Sequence, residues 1–324
     1  MRDARRRQFL IAACALPLGA GAALAQSRPA RIGVVEFGAP PPSGFARAYL
    51  AALKGHGYAE PVTLRVEARY AQGEAARFSE LIEDLAKAKV DMVFTVGNDI
   101  AQVAKKIAPA LPVVTAGSED PVQSGLIADY RRPGGNVTGV TYLSPQLASK
   151  RLEMLKQAVP GLLRVAVLWD PAHVDTYYQD MIPAANALGL RLQPFEVHRA
   201  DDIGRAFAAA QGAGAQALFV VPSRLINVMS RRIGELALAA RLPTMAAYAN
   251  FPDAGGLMSY GAVASEMLQR AAAQSARILK GAKAGDLPFE QAATFELVIN
   301  LRTARALGIA IPQSMLLRAD RVID

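Results

Sequence analysis

The side chains in this 324-residue chain that could carry catalysis are few: three histidines, one cysteine and scattered acids. His56, His173 and His198 lie far apart, and none has a His or Glu at the spacing that sets two metal ligands on one helix face. The chain has no Gly-x-Ser-x-Gly elbow, no phosphate-binding loop and no dinucleotide-binding glycine pattern after an apolar strand. No catalytic residue, metal ligand or cofactor is therefore expected. What remains is binding chemistry. Gly97-Asn98 opens a helix after an apolar segment, where free amides and the positive dipole end suit a carboxylate. An ordinary strand–helix turn with Asn as its cap explains the same residues. Asp120 and Asp170 could each hold an amino group through a charge-assisted hydrogen bond. Trp169 and Tyr248 could stack on a ring, and Ser118 and Ser223 add hydroxyls on neighbouring loops. For Asp170-Pro171 a common turn, and for Trp169 a core position, remain open alternatives.

These residues share one structural property. Each follows a short apolar segment that reads as a strand, and between the strands run segments of helical periodicity. Ile32 to Phe37, Val62 to Tyr70, Met92 to Val96 and Val113 to Thr115 are the expected strands of a first half. Val165 to Trp169, Arg191 to Glu196, Ala217 to Val221 and Thr244 to Ala247 are those of a second. Arg31-Ile32-Gly33-Val34-Val35 returns as Arg164-Val165-Ala166-Val167-Leu168, and Leu111-Pro112 returns as Leu242-Pro243, an offset of about 130 residues. Strands alternating with helices imply parallel sheets joined by crossovers. The expected fold is α/β: two similar doubly wound parallel-sheet lobes joined by a hinge, with ligand loops beyond the carboxyl ends of the strands. Gly134-Gly135 reads as a turn between the lobes. The expected division is 29–142 plus about 261–290 for the first lobe, and 143–260 plus about 291–324 for the second.

Residues 1–25 read as an export signal. Arg2, Arg5, Arg6 and Arg7 precede an apolar stretch that ends in Ala23-Leu24-Ala25, a small-residue cleavage site. Arg6-Arg7 fits a twin-arginine signal as well as the general route. Ile11-Ala12-Ala13-Cys14 also fits a lipoprotein box, but the apolar stretch before Cys14 is short and runs on after it. Cleavage after Ala25 removes the lone cysteine, so disulfides and thiol chemistry are not expected in the periplasm. The formal net charge is +8, with basic residues spread out and no aromatic interleaving, which argues against nucleic acid as a partner. No later segment has eighteen uninterrupted apolar residues, so the mature chain is expected to be soluble.

Several blocks resemble one bacterial family. They are Asp120-Pro121 with Arg132-Pro133-Gly134-Gly135-Asn136-Val137-Thr138-Gly139, then Lys150-Arg151-Leu152-Glu153-Met154-Leu155-Lys156, then Ala254-Gly255-Gly256-Leu257-Met258-Ser259-Tyr260-Gly261, then Phe295-Glu296-Leu297-Val298-Ile299-Asn300-Leu301 and Leu316-Leu317-Arg318-Ala319-Asp320. In this order they resemble the ABC-transporter substrate-binding proteins of the type I periplasmic-binding fold. The resemblance implies a monomeric two-lobe clamp that closes on a small molecule, such as an aromatic amino acid or a related compound, and passes it to the membrane subunits of an ABC permease. The loops at the strand ends then place the expected ligand contacts at Gly97, Asn98, Ser118, Asp120, Trp169, Asp170, Ser223 and Tyr248. Where the family often has Gly-Thr-Pro, this chain has Gly97-Asn98-Asp99. Asp99 adds negative charge beside the expected carboxylate site, which counts against an amino acid and leaves room for another solute. A ligand sensor docking on a membrane receptor, or a periplasmic enzyme on the same scaffold, would use the same clamp.

Overall fold

The computed structural model describes residues 28–171 and 177–324. The signal expected over residues 1–25, Cys14 within it, His173 and most of the loop after Pro171 lie outside the described residues.

The first half runs β1 (Ala30–Glu36), α1 (Gly44–Gly55), β2 (Leu64–Tyr70), α2 (Phe78–Lys87), β3 (Met92–Val96), α3 (Asn98–Ile107), β4 (Val113–Gly117) and β5 (Val137–Thr141). The second half runs α4 (Ala148–Ala158), β6 (Arg164–Trp169), α5 (Tyr177–Ala187), β7 (Arg191–Glu196), α6 (Asp202–Gly212), β8 (Ala217–Val220), α7 (Arg224–Val228), α8 (Ser230–Ala239), β9 (Thr244–Ala246), α9 (Asn250–Asp253) and β10 (Met258–Ala262). The chain then passes through α10 (Ala264–Leu279) and β11 (Glu290–Gln291), and ends with β12 (Phe295–Asn300), α11 (Leu301–Leu307), α12 (Gln313–Leu316) and β13 (Arg321–Ile323).

Two sheets result. The first has the order β11-β5-β4-β3-β1-β2, and all its described pairings are parallel. The second has the order β13-β12-β10-β9-β8-β6-β7 and is parallel except where β12 runs against β10. Helices cover both faces of each, and this burial is why the central strands are apolar without alternation. On one face of the first sheet α1 and α10 pack over Ile32, Phe94 and Val114; on the other α2 and α3 pack over Val35, Val93 and Val113. The second sheet is covered in the same way by α4 and α5, and by α6 and α8. Among the described residues no helix is long and apolar enough to cross a membrane.

The last third of the chain works in both lobes. β10 pairs in the second sheet up to Ala262, α10 packs on the first, β11 joins the edge of the first, and β12 returns to the second. Three connections therefore cross between sheets: from Tyr142 to Leu147, at Val263, and from Ala292 to Thr294. Inside the first lobe Tyr49 stacks on Phe94 with centroids 3.7 Å apart, and its buried hydroxyl donates to the Ser275 hydroxyl of α10 at 2.7 Å. Ser275 donates in turn to the Ala271 carbonyl. Tyr49→Phe should therefore cost only about 1 kcal/mol, because no donor is stranded. Urea unfolding checks this; a cost above roughly 3 kcal/mol would mean the hydroxyl organises more than this bond.

The sequence reading missed β5 and the two short edge strands β11 and β13. Gly134-Gly135 does not lie between the lobes. The turn belongs to the first lobe, where Gly134 N–H donates to the Gly285 carbonyl at 3.2 Å, and it leads into β5, a fully buried strand beside β4.

Candidate functional site

The carboxyl ends of β1, β3, β4 and β5 face those of β6, β8 and β9 across the cleft. Tyr248 and Arg224 of the second lobe reach across it. Tyr248, just after β9, sets its ring edge-on to Phe45 of α1 and to Tyr142 after β5, each at 6.2 Å between centroids. Arg224, the first residue of α7, reaches over to Asp99 in the first turn of α3.

Between these bridges lies a cavity holding about 680 Å³ of space unfilled by protein atoms, part of it open to solvent. The first lobe contributes Phe45, Val96, Gly97, Ala116, Gly117, Ser118 and Tyr142. The second contributes Ser223, Arg224, Asn227, Ala247 and Tyr248. Ala262, Ala264, Met267 and Leu268, from the crossing into α10, close the back. The walls are mostly apolar and aromatic, with a few polar groups that could orient a guest, the usual character of a small-molecule site. Among the described residues no acid, histidine or cysteine lines it. Burial raises the pKa of the Tyr248 hydroxyl, partly offset by its hydrogen bond with Tyr142.

Local geometry explains the glycines. Gly97 has φ +110°, a conformation that disfavours side chains. A Cβ there would also lie 2.5 Å from Nη1 of Arg224, so glycine lets the opposite lobe approach the backbone. Gly117 makes room in the same way: a Cβ would lie 2.5 Å from Oδ1 of Asn98. Asn98 itself is 1% exposed, and neither amide atom has a hydrogen-bond partner among the described residues. A buried amide without partners is unfavourable unless something supplies them. Ser223 caps α7 by accepting from the Ile226 N–H at 3.2 Å, which leaves its O–H as a donor.

Of the eight expected contacts, the structure brings Gly97, Ser118, Ser223 and Tyr248 into the wall of one cavity, with Asn98 directly behind Gly117. Three stand elsewhere. Asp120 accepts from the Val122 and Gln123 amides at 2.8 and 3.1 Å and borders a separate hollow with Leu143, Gln146 and Asp180. Trp169 stacks on Tyr178 with centroids 6.4 Å apart, and its buried indole N–H has no partner among the described residues. Asp170, beside Trp169, is half-buried and also does not line the cavity. Arg224, Phe45, Tyr142 and Asn227 were not among the expected contacts. Phe45 and Arg224 each lie in the first turn of the helix that follows a strand-end loop, a signal the sequence did carry.

Comparisons with known proteins agree with this architecture. The chain is 22% identical over 266 residues to the tyrosine-binding protein of Clostridioides difficile (strain R20291), covering 81% of this chain and 76% of that protein. Its structure is similar to that of the ABC domain in complex with L-Trp from Streptococcus pneumonia, with a TM-score of 0.82, 24% identity, and 91% and 100% of the two chains covered. It is also similar to a ligand-free, open substrate-binding protein with adhesive properties from Clostridium difficile, with a TM-score of 0.64, 20% identity, and 91% and 99% covered. At these identities the two structures speak for the fold, two α/β lobes of the type I periplasmic-binding kind. A sequence profile described as ABC transporter substrate binding protein matches residues 44–323, and the chain belongs to that family.

Proposed function

We propose that this protein is the solute-binding component of an ABC importer and that it holds an aromatic amino acid or a related compound between its lobes without transforming it. The observation that carries the reading is the cavity walled by both lobes, with Phe45, Tyr142 and Tyr248 around it and the unpartnered Asn98 amide at its edge. A ring would stack among the aromatics. Asn98, Ser118 and Ser223 would orient the polar end. A guest touching both lobes favours the closed arrangement over the open one by the sum of its contacts in the closed state. The tyrosine-binding and L-Trp-bound relatives support an aromatic amino acid. The absence of acid, histidine and cysteine from the described cavity lining supports binding without turnover. Export to the periplasm, release of the signal after Ala25, docking on ABC permease subunits and a monomeric state complete the proposal.

A thermal-shift screen of residues 26–324, stripped of carried-over ligand by partial unfolding and dialysis, tests it. Aromatic amino acids at about one hundred times their Kd should raise Tm by roughly 5 °C or more. A flat response to tyrosine, tryptophan and phenylalanine, with a shift from a sugar or nucleoside, would sink the aromatic assignment. Recovery of a bound compound chemically changed would sink the non-catalytic one.

A further inference from the structure

The anion site that the sequence suggests at the start of α3 is built, and it already contains a carboxylate. Oδ1 of Asp99 accepts from the Ile100 N–H at 2.8 Å. The same carboxylate meets the guanidinium of Arg224 in a two-pronged pair, Nη1 to Oδ1 at 2.5 Å and Nη2 to Oδ2. Such fork-shaped pairing is the geometry by which arginine recognises free carboxylates. Arg224 is held for this role. Its guanidinium carbon lies 5.2 and 5.4 Å from the ring centroids of Phe37 and Phe78, an arrangement that favours the cation. Its side chain is 17% exposed, and its buried Nε has no partner among the described residues. A second observation marks the place as built for a guest: Asn98, the preceding residue, buries both atoms of its amide against Gly117 in the cavity wall, with no partner for either among the described residues.

We propose that Arg224 and the N-terminal amides of α3 form a carboxylate-binding subsite of the cleft, which this chain fills with its own Asp99. Resting on the interlobe cavity as the solute site, the inference sets a rule for the solute: its end near α3 is not anionic, and any carboxylate it carries points elsewhere or displaces Asp99. The pair also ties the lobes together, because its partners come from opposite sides of the cleft.

The test needs no knowledge of the solute, because acetate serves as the probe. Wild type, Asp99→Ser and the double variant Asp99→Ser with Arg224→Met are melted at pH 7 in sodium acetate and in sodium chloride of equal ionic strength. Asp99→Ser should melt below wild type in chloride and regain half or more of the loss in acetate. Wild type and the double variant should show no acetate preference. Calorimetric titration of acetate into folded Asp99→Ser, with heat absent from wild type, reads the same subsite independently. Equal acetate response in all three proteins, or no response in Asp99→Ser, overturns the proposal. A flat solute screen with acetate rescue intact would sink the aromatic assignment and leave this inference standing; the reverse pattern would do the opposite.

Discussion

Asn98→Ala should weaken solute binding at least about fivefold while leaving the ligand-free protein as stable as wild type, or more so. The two effects have one cause. Both amide atoms of Asn98 are buried with no hydrogen-bond partner among the described residues, so the side chain is desolvated without compensation from the protein, and removing it relieves that cost. The bound solute supplies the missing partners, and removing the amide then strands the solute's own polar group. A loss of roughly 1–3 kcal/mol per buried hydrogen bond corresponds to a fall in affinity of about 5- to 150-fold. Calorimetry with the solute found by thermal shift reads the affinity, and urea unfolding reads the stability. Unchanged affinity would remove Asn98 from the site. A large loss of ligand-free stability would make it a structural cap of α3 instead.

Gly261→Ala has the largest expected effect on stability. Gly261 lies in β10, one strand from β9, immediately before the chain crosses to α10. A Cβ there would sit 1.9 Å from the carbonyl oxygen of Ala247 and 3.0 Å from its carbon. Those are backbone atoms of the strand end that carries Tyr248, so no rotamer change relieves the clash. Separating the strands should cost about 3 kcal/mol and lower Tm by roughly 6–12 °C. Solute affinity should fall with it, because Ala247 and Tyr248 line the cavity. Gly212→Ala is the control: this glycine lies in α6 with open space around the added methyl, so the change should stabilise the protein by about 0.5–1 kcal/mol. Scanning calorimetry on both decides the matter. A Gly261→Ala protein that melts with wild type would mean that β10 and β9 are not held this close in solution.

The alternation of strands and helices was legible because buried parallel strands must be continuously apolar and their crossovers amphipathic. Met92 to Val96 and Ala217 to Val221 announce β3 and β8 in this way, and Gly97-Asn98 announces the start of α3. β5 was not legible. Val137-Thr138-Gly139-Val140-Thr141 has a glycine at its centre and no alternation, and reads as a continuation of the turn before it. It is a strand because it pairs along its whole length with β4, and that closeness is what requires the glycine: a Cβ on Gly139 would fall 2.0 Å from the Thr115 carbonyl oxygen.

The site divides along the same line. By itself the sequence determined two parallel-sheet lobes and which loops stand at the strand ends, because periodicity and turn chemistry act over a few residues. Only the tertiary structure decided which of those loops meet. Asp120 looks as available as Asp99 in the sequence, yet it satisfies its own loop's amides. Asp99 instead pairs with Arg224, 125 residues away and across the cleft. Partner choice between charges depends on distance and burial in space, and local sequence carries neither.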